Sequence, residues 1–123
     1  MSSTATVADL QSSPGPIDLS HLARMTCGDK ALEREVLGLF LKQSASLDAS
    51  LASALAEVSG DTAGLAHTIK GSARAIGAFR VADHAAVVED VTRRGGDPAA
   101  ELAGLRAALA EATHAIEALL SRP

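Results

Sequence analysis

The chain contains no tryptophan, no tyrosine and only two phenylalanines. Its core therefore has to be built from Leu, Ile and Val rather than from aromatic rings. Its single cysteine, Cys27, cannot close an intramolecular disulfide or form a zinc site alone. A basic excess is also missing: 11 Lys and Arg stand against 15 Asp and Glu, a net charge of −4. Nucleic acid, whose phosphates call for a basic face, is therefore not an expected partner. No long hydrophobic run is present. The longest weakly charged stretch, near residues 43–56, is full of serine and broken by Asp48, so no membrane span is expected. The N-terminus lacks a basic patch followed by an apolar block, so no signal peptide is read there. A soluble, reducing, cytoplasmic setting is the expectation. At 123 residues the chain is one domain, too short to include an ATP-binding catalytic domain, so no nucleotide site of its own is expected.

Alanine is abundant, with 26 residues against 11 Val and Ile together. Ala loses no side-chain entropy in a helix, whereas β-branched residues do, so helix is favoured over sheet. Residues 1–16 are polar and rich in Ser, Thr, Pro and Gly, and read as a flexible tail; residues 17–121 form the domain. Asp18 caps a short helix through Met25, and Cys27-Gly28 is a turn with Cys27 as a small turn residue. Asp29 caps a helix expected over 29–59, with Leu32, Val36, Leu39, Phe40, Leu47, Leu51, Ala54, Leu55 and Val58 as its apolar stripe, Gln43 as a polar gap and Ser59-Gly60 as its end. Asp61 caps the next, over 61–77, with Leu65, Ile69, Ala73 and Ile76 inward. A further helix spans 79–94, with Val81, Ala85, Val88 and Val91 inward. After Gly95-Gly96, Asp97 is an N-cap with Pro98 at the first position of a last helix over 97–121, carrying Leu102, Leu105, Leu109, Ala112, Ile116 and Leu119. Long amphipathic helices joined by short turns run antiparallel to their neighbours. The expected fold is all-α, an antiparallel up-down-up-down four-helix bundle with a short N-terminal cap helix.

The helix over 61–77 carries the chemistry. At about 100° per residue, Leu65, Ile69 and Ile76 lie about 160–200° from His67, so His67 points away from the core stripe. Lys70, Gly71 and Arg74 all fall within about 60° of His67, on one solvent face. A glycine inside a helix costs about 1 kcal/mol relative to Ala. In a chain that uses Ala almost everywhere, Gly71 needs a reason. It stands four residues after His67, where a side chain would lean over the imidazole. An exposed imidazole with a vacancy and an ammonium beside it suits a nucleophile that takes on an anion, and phosphoryl is the obvious one. The other histidines have less support. His84 shares a side with Val81 and Val88 and reads as half-buried, and His21 and His114 lack a pattern. No His, Asp and Glu spacing suggests a metal site.

The stretch His67-Thr68-Ile69-Lys70-Gly71-Ser72-Ala73-Arg74-Ala75-Ile76-Gly77-Ala78 resembles the signature of histidine-containing phosphotransfer (HPt) domains, roughly H-x-L-K-G-S-A-x-x-[IV]-G-A, with Ile69 in place of Leu. The likeness extends over residues 17–121 and takes in Gly28-Asp29, Leu39-Phe40 and Val88-Glu89. It implies a four-helix bundle in a phosphorelay. His67 would accept a phosphoryl group from a receiver-domain aspartyl-phosphate and pass it to another receiver aspartate. By the same resemblance Lys70 would be the charge partner, Gly71 would give steric room, and Ser72 would be the small residue packed behind the helix. Glu89 would occupy a position held by Gln or Glu that hydrogen-bonds the unphosphorylated ring nitrogen. Register agrees: His67 is ten residues before Gly77 and Glu89 twelve after it, so both sit some 15–18 Å from the turn at about 1.5 Å per residue. The implied partners are receiver domains of a hybrid sensor kinase, a response regulator or both. No cofactor of its own is implied; a divalent metal is expected in the partner receiver. The chain would act as a monomeric phosphohistidine carrier. The alternative is a helical module that binds a kinase or response regulator without transferring phosphate. A dimerising sensor-kinase fragment would carry its histidine in another motif, and a metal or cofactor bundle would need polar inward positions where these are apolar.

Overall fold

The computed structural model describes residues 15–56 and 61–122. Most of the expected tail, and the expected end of the second helix at Val58 and Ser59-Gly60, lie outside them. The described residues form five helices and no strand: α1 (Leu19–Met25), α2 (Lys30–Ala56), α3 (Thr62–Ile76), α4 (Phe79–Arg93) and α5 (Ala99–Leu120).

Three of the helix starts are capped by an aspartate. Asp18 accepts from the His21 amide at 3.1 Å, Asp29 from Leu32 at 3.1 Å and Asp61 from Gly64 at 2.8 Å. The start of α5 differs from expectation. Pro98, not Asp97, supplies the first intrahelical carbonyl, accepting from Leu102 at 2.7 Å, while Asp97 accepts from the Ala99 amide at 3.0 Å. Helix α3 ends in a Schellman motif: the Ala78 amide donates to the Ala73 carbonyl at 2.8 Å and Gly77 donates to Arg74 at 3.3 Å. Gly77 has φ 84°. A Cβ on Gly77 would also lie 2.8 Å from the Asp18 carbonyl oxygen. The same glycine accepts from the Asp18 amide at 2.8 Å, tying the start of α1 to the α3–α4 turn.

Helix α3 packs most closely along α4, α2 along α5, and α4 along α5; α1 and α2 also touch α3. Leu22, Leu51, Ile69, Val81, Val88, Leu102, Leu105, Leu109 and Ile116 are fully buried. Each buried Leu or Ile contributes roughly 1.5–3 kcal/mol. Ala66 and Ala73 on α3 and Ala82 and Ala85 on α4 are also buried, and their small side chains let these two helices approach closely.

Two further expectations are corrected. On α2 the inward ladder is Leu37, Phe40, Ser44, Leu47 and Leu51. Leu39 is 61% exposed and Leu32 39%. With apolar residues at 36, 37, 39, 40 and 41, periodicity alone does not locate the centre of the stripe. Ser44 resolves it, because its hydroxyl donates to the Leu41 carbonyl at 2.7 Å and so tolerates burial. His84 is exposed rather than half-buried. It lies over Gly104 of α5, where a Cβ would come within 3.1 Å of its Nδ1, so the ring rests on the outside of α5.

Candidate functional site

The site is assembled by the two helices that pack most closely. Ala66, Ile69 and Ala73 anchor one side of α3 in the core, which turns His67 outward with its side chain 64% exposed. Gly71 is exposed, and a Cβ built on it meets nothing within 4 Å among the described residues, which leave the space beside the imidazole open. Arg74 is exposed on the same helix, and Ser72 is half-buried.

Glu89 reaches across from α4. Its Oε2 lies 3.0 Å from His67 Nδ1, and its Oε1 accepts from Lys70 Nζ at 2.7 Å. Arg93, one turn further along α4, places NH2 2.9 Å from the same Oε2. Sequence reasoning missed Arg93; the available signal was its i,i+4 spacing from Glu89. Reasoning from sequence also left Lys70 facing the acceptor position, whereas its ammonium is bonded to Glu89 and its side chain is only 20% exposed. The Lys70 hydrogen bond is the largest influence on the Glu89 carboxyl. Burial opposes it and His67 adds to it, and the net result is a value lowered to about 2.

Glu89 is therefore ionised at neutral pH and can only accept. In the neutral imidazole this contact favours the tautomer with its proton on Nδ1, which has its free lone pair on Nε2. Among the described residues, His67 makes its hydrogen bond through Nδ1 alone. One carboxylate against two cations leaves a surplus positive charge beside the exposed ring, in a chain whose net charge is −4.

The other histidines have different surroundings. His21 is half-buried, its ring edge-to-face with Phe79 at 5.0 Å, and its buried Nε2 has no partner among the described residues. His114 lines a groove of about 720 Å³ between α2 and α5, which none of His67, Lys70, Gly71 and Glu89 touches. Among the described residues no cluster of three or more His, Cys, Asp or Glu is arranged to hold a metal ion. None of the described helices is long and apolar enough to cross a membrane.

The sequence matches the Hpt domain model over residues 35–122. The chain belongs to the Hpt domain family. The match covers α3, α4, α5 and most of α2, and so includes every residue of the His67 site. No curated protein sequence matches this Hpt domain. Its fold is similar to the X-ray structure of a rice protein named as a histidine-containing phosphotransfer protein. The TM-score is 0.73 over 95% of this chain and 87% of that one, at 18% identity. At that identity the likeness is one of fold. Family membership gives this Hpt domain a histidine phosphotransfer role in phosphorelays.

Proposed function

We propose that His67 is the phosphoryl acceptor and donor of this domain, and that it exchanges the group with receiver-domain aspartates. The observation that carries the reading is the exposed imidazole whose Nδ1 is held 3.0 Å from Glu89, leaving Nε2 open to solvent. In the forward step the Nε2 lone pair attacks the phosphorus of an aspartyl-phosphate. The Nε2–P bond forms, the P–O bond to the aspartate breaks, and the carboxylate leaves with that electron pair. The proton stays on Nδ1, facing Glu89. In the return step a second receiver's carboxylate oxygen attacks phosphorus and the N–P electron pair goes back to Nε2. Little catalysis is needed here beyond orientation and charge, because the receiver brings the acyl phosphate and its own divalent metal. Lys70 and the surplus charge of the cluster offset the incoming anion, and Gly71 leaves it room.

The same reading places a receiver on the face around His67, extending to exposed apolar side chains on two other helices. Leu32 and Leu39 on α2, and Leu19 and Met25 on α1, are 39–61% exposed and are suited to such contact. Helices α2 to α5 would run up-down-up-down with α1 across one end, and the domain would act as a cytoplasmic monomer. Binding is expected to be weak, about micromolar, since relay partners separate after each transfer. Amide shifts on adding a receiver should centre on residues 63–74.

The test is incubation with a radiolabelled phospho-receiver. Label should reach the parent protein and be lost in His67→Gln, with an unchanged far-UV circular dichroism spectrum. Acid-labile label persisting in that variant would move the site to another histidine. A parent that binds the receiver without taking label would leave only an interaction module.

A further inference from the structure

Arg93 lies outside the H-x-x-K-G-S stretch, near the end of α4, yet it touches the centre of the site. Glu89 Oε2 meets Arg93 NH2 at 2.9 Å and His67 Nδ1 at 3.0 Å, while Lys70 holds Oε1 at 2.7 Å. With Lys70 alone, the carboxylate could pivot about Oε1 and carry Oε2 away from the ring. Arg93, bound to Oε2 from the same helix, blocks that rotation. The two cations grip opposite oxygens, so the acceptor offered to Nδ1–H is fixed in position.

The neighbouring arginine supplies a contrast. Arg94 is also cationic and also at the C-terminal end of α4, where either charge is favoured by the helix dipole. Its NH2 lies 2.7 Å from Asp90, and that pair is 72% and 62% exposed, whereas the Glu89 that Arg93 holds is 12% exposed. Any general benefit of a terminal cation is common to both residues. Only Arg93 reaches the carboxylate that anchors His67.

We propose that Arg93 is a positioning residue for phosphoryl transfer. By holding Glu89 Oε2 it keeps the His67 proton on Nδ1 and the Nε2 lone pair directed outward. The proposal rests on His67 being the acceptor and Glu89 its anchor.

The experiment compares the full chain with Arg93→Ala, Arg93→Lys and Arg94→Ala, each with ¹⁵N-labelled histidine. Two quantities are read: the His67 tautomer, from its ring ¹⁵N shifts where the imidazole is neutral, and the initial rate of His67 labelling by phosphoramidate. Phosphoramidate is a small donor, so no receiver docking enters the rate. The parent should show Nδ1–H with Nε2 unprotonated. Arg93→Ala should shift population toward the Nε2–H tautomer and slow labelling about threefold to tenfold, less than the roughly tenfold to hundredfold of a lost outer hydrogen-bond partner, because Arg93 adds an ion pair and Lys70 still holds Glu89. Arg93→Lys should recover part of both effects, and Arg94→Ala should change neither. Unchanged tautomer and rate in Arg93→Ala, or equal changes in Arg94→Ala, would overturn the proposal while leaving His67 as acceptor. A parent that takes no label on His67 would overturn the phosphotransfer reading itself, and this proposal with it.

Discussion

Among the helix pairs of this Hpt domain that a carboxylate and a cation tie together, two differ in consequence. Between α2 and α5, Asp48 accepts from Arg106 Nε at 2.9 Å and NH2 at 3.1 Å. One anion meets one cation in a two-pronged fit, and the pair lowers the Asp48 carboxyl and raises the Arg106 guanidinium. Nearby, Thr113 donates to the Leu109 carbonyl at 2.8 Å and lies 3.3 Å from the Ser44 hydroxyl. Charge and hydrogen bonds close on themselves. Between α3 and α4, a single carboxylate serves Lys70, Arg93 and His67. The cations outnumber the anion and one ring nitrogen stays open. A balanced pair makes a staple between helices; an oversubscribed carboxylate beside an exposed imidazole is the arrangement proposed to take the phosphoryl group.

The largest expected difference between the two is in transfer. Glu89→Ala should slow phosphorylation of His67 about tenfold, as loss of an outer hydrogen-bond partner typically does. Asp48→Ala should transfer at the parent rate. Equal slowing by both would break the comparison. Lys70→Ala should slow transfer severalfold while the dichroism spectrum stays the same, measured with the same phospho-receiver.

Legibility from sequence divides along a similar line. The all-helical fold, its five helices and the three aspartate caps were readable because caps and three/four spacing are local. The outward direction of His67 followed from the placement of Ile69 and Ile76 on its own helix. The juxtaposition of Glu89 with His67 was implied by the family resemblance, and counting both ways from Gly77 agrees with it. What was not readable depends on a neighbouring helix. Leu39 faces out because Ser44 takes a place in the ladder, and that requires a hydroxyl with an acceptor. His84 lies outside because Gly104, twenty residues on, gives it a surface to rest on. Arg93 joins the site because Glu89 bends toward α3 rather than into solvent. Periodicity fixes direction about one axis; it does not tell which long side chains share a partner.

Smaller effects sharpen the contrast. Side chains larger than Ala at 71 should slow transfer, whereas Gly71→Ala should raise stability by up to about 1 kcal/mol, since its methyl meets nothing within 4 Å among the described residues. Denaturant unfolding and transfer rates on the same variants would show opposite signs for bulk and for helix propensity. Asp48→Ala should lower the thermal midpoint by no more than about 4 °C, as expected for a partly exposed pair. In acid, the Glu89 carboxyl should titrate near 2 in a ¹³C experiment, well below its ordinary 4.5. Its folded value lies below the unfolded one. The contribution of the ionised cluster is therefore complete above about 4.5 and is lost as pH falls toward about 2. A midpoint close to 4.5 would mean that Lys70 and His67 do not hold Glu89 in solution.

The central claim concerns one atom, and ¹⁵N–³¹P coupling reads it directly. Protein labelled with ¹⁵N-histidine and phosphorylated by a phospho-receiver should show one phosphohistidine, with phosphorus coupled to Nε2 of His67 and the proton retained on Nδ1. Coupling to Nδ1 of His67, or to any ring nitrogen of His21, His84 or His114, would contradict the account.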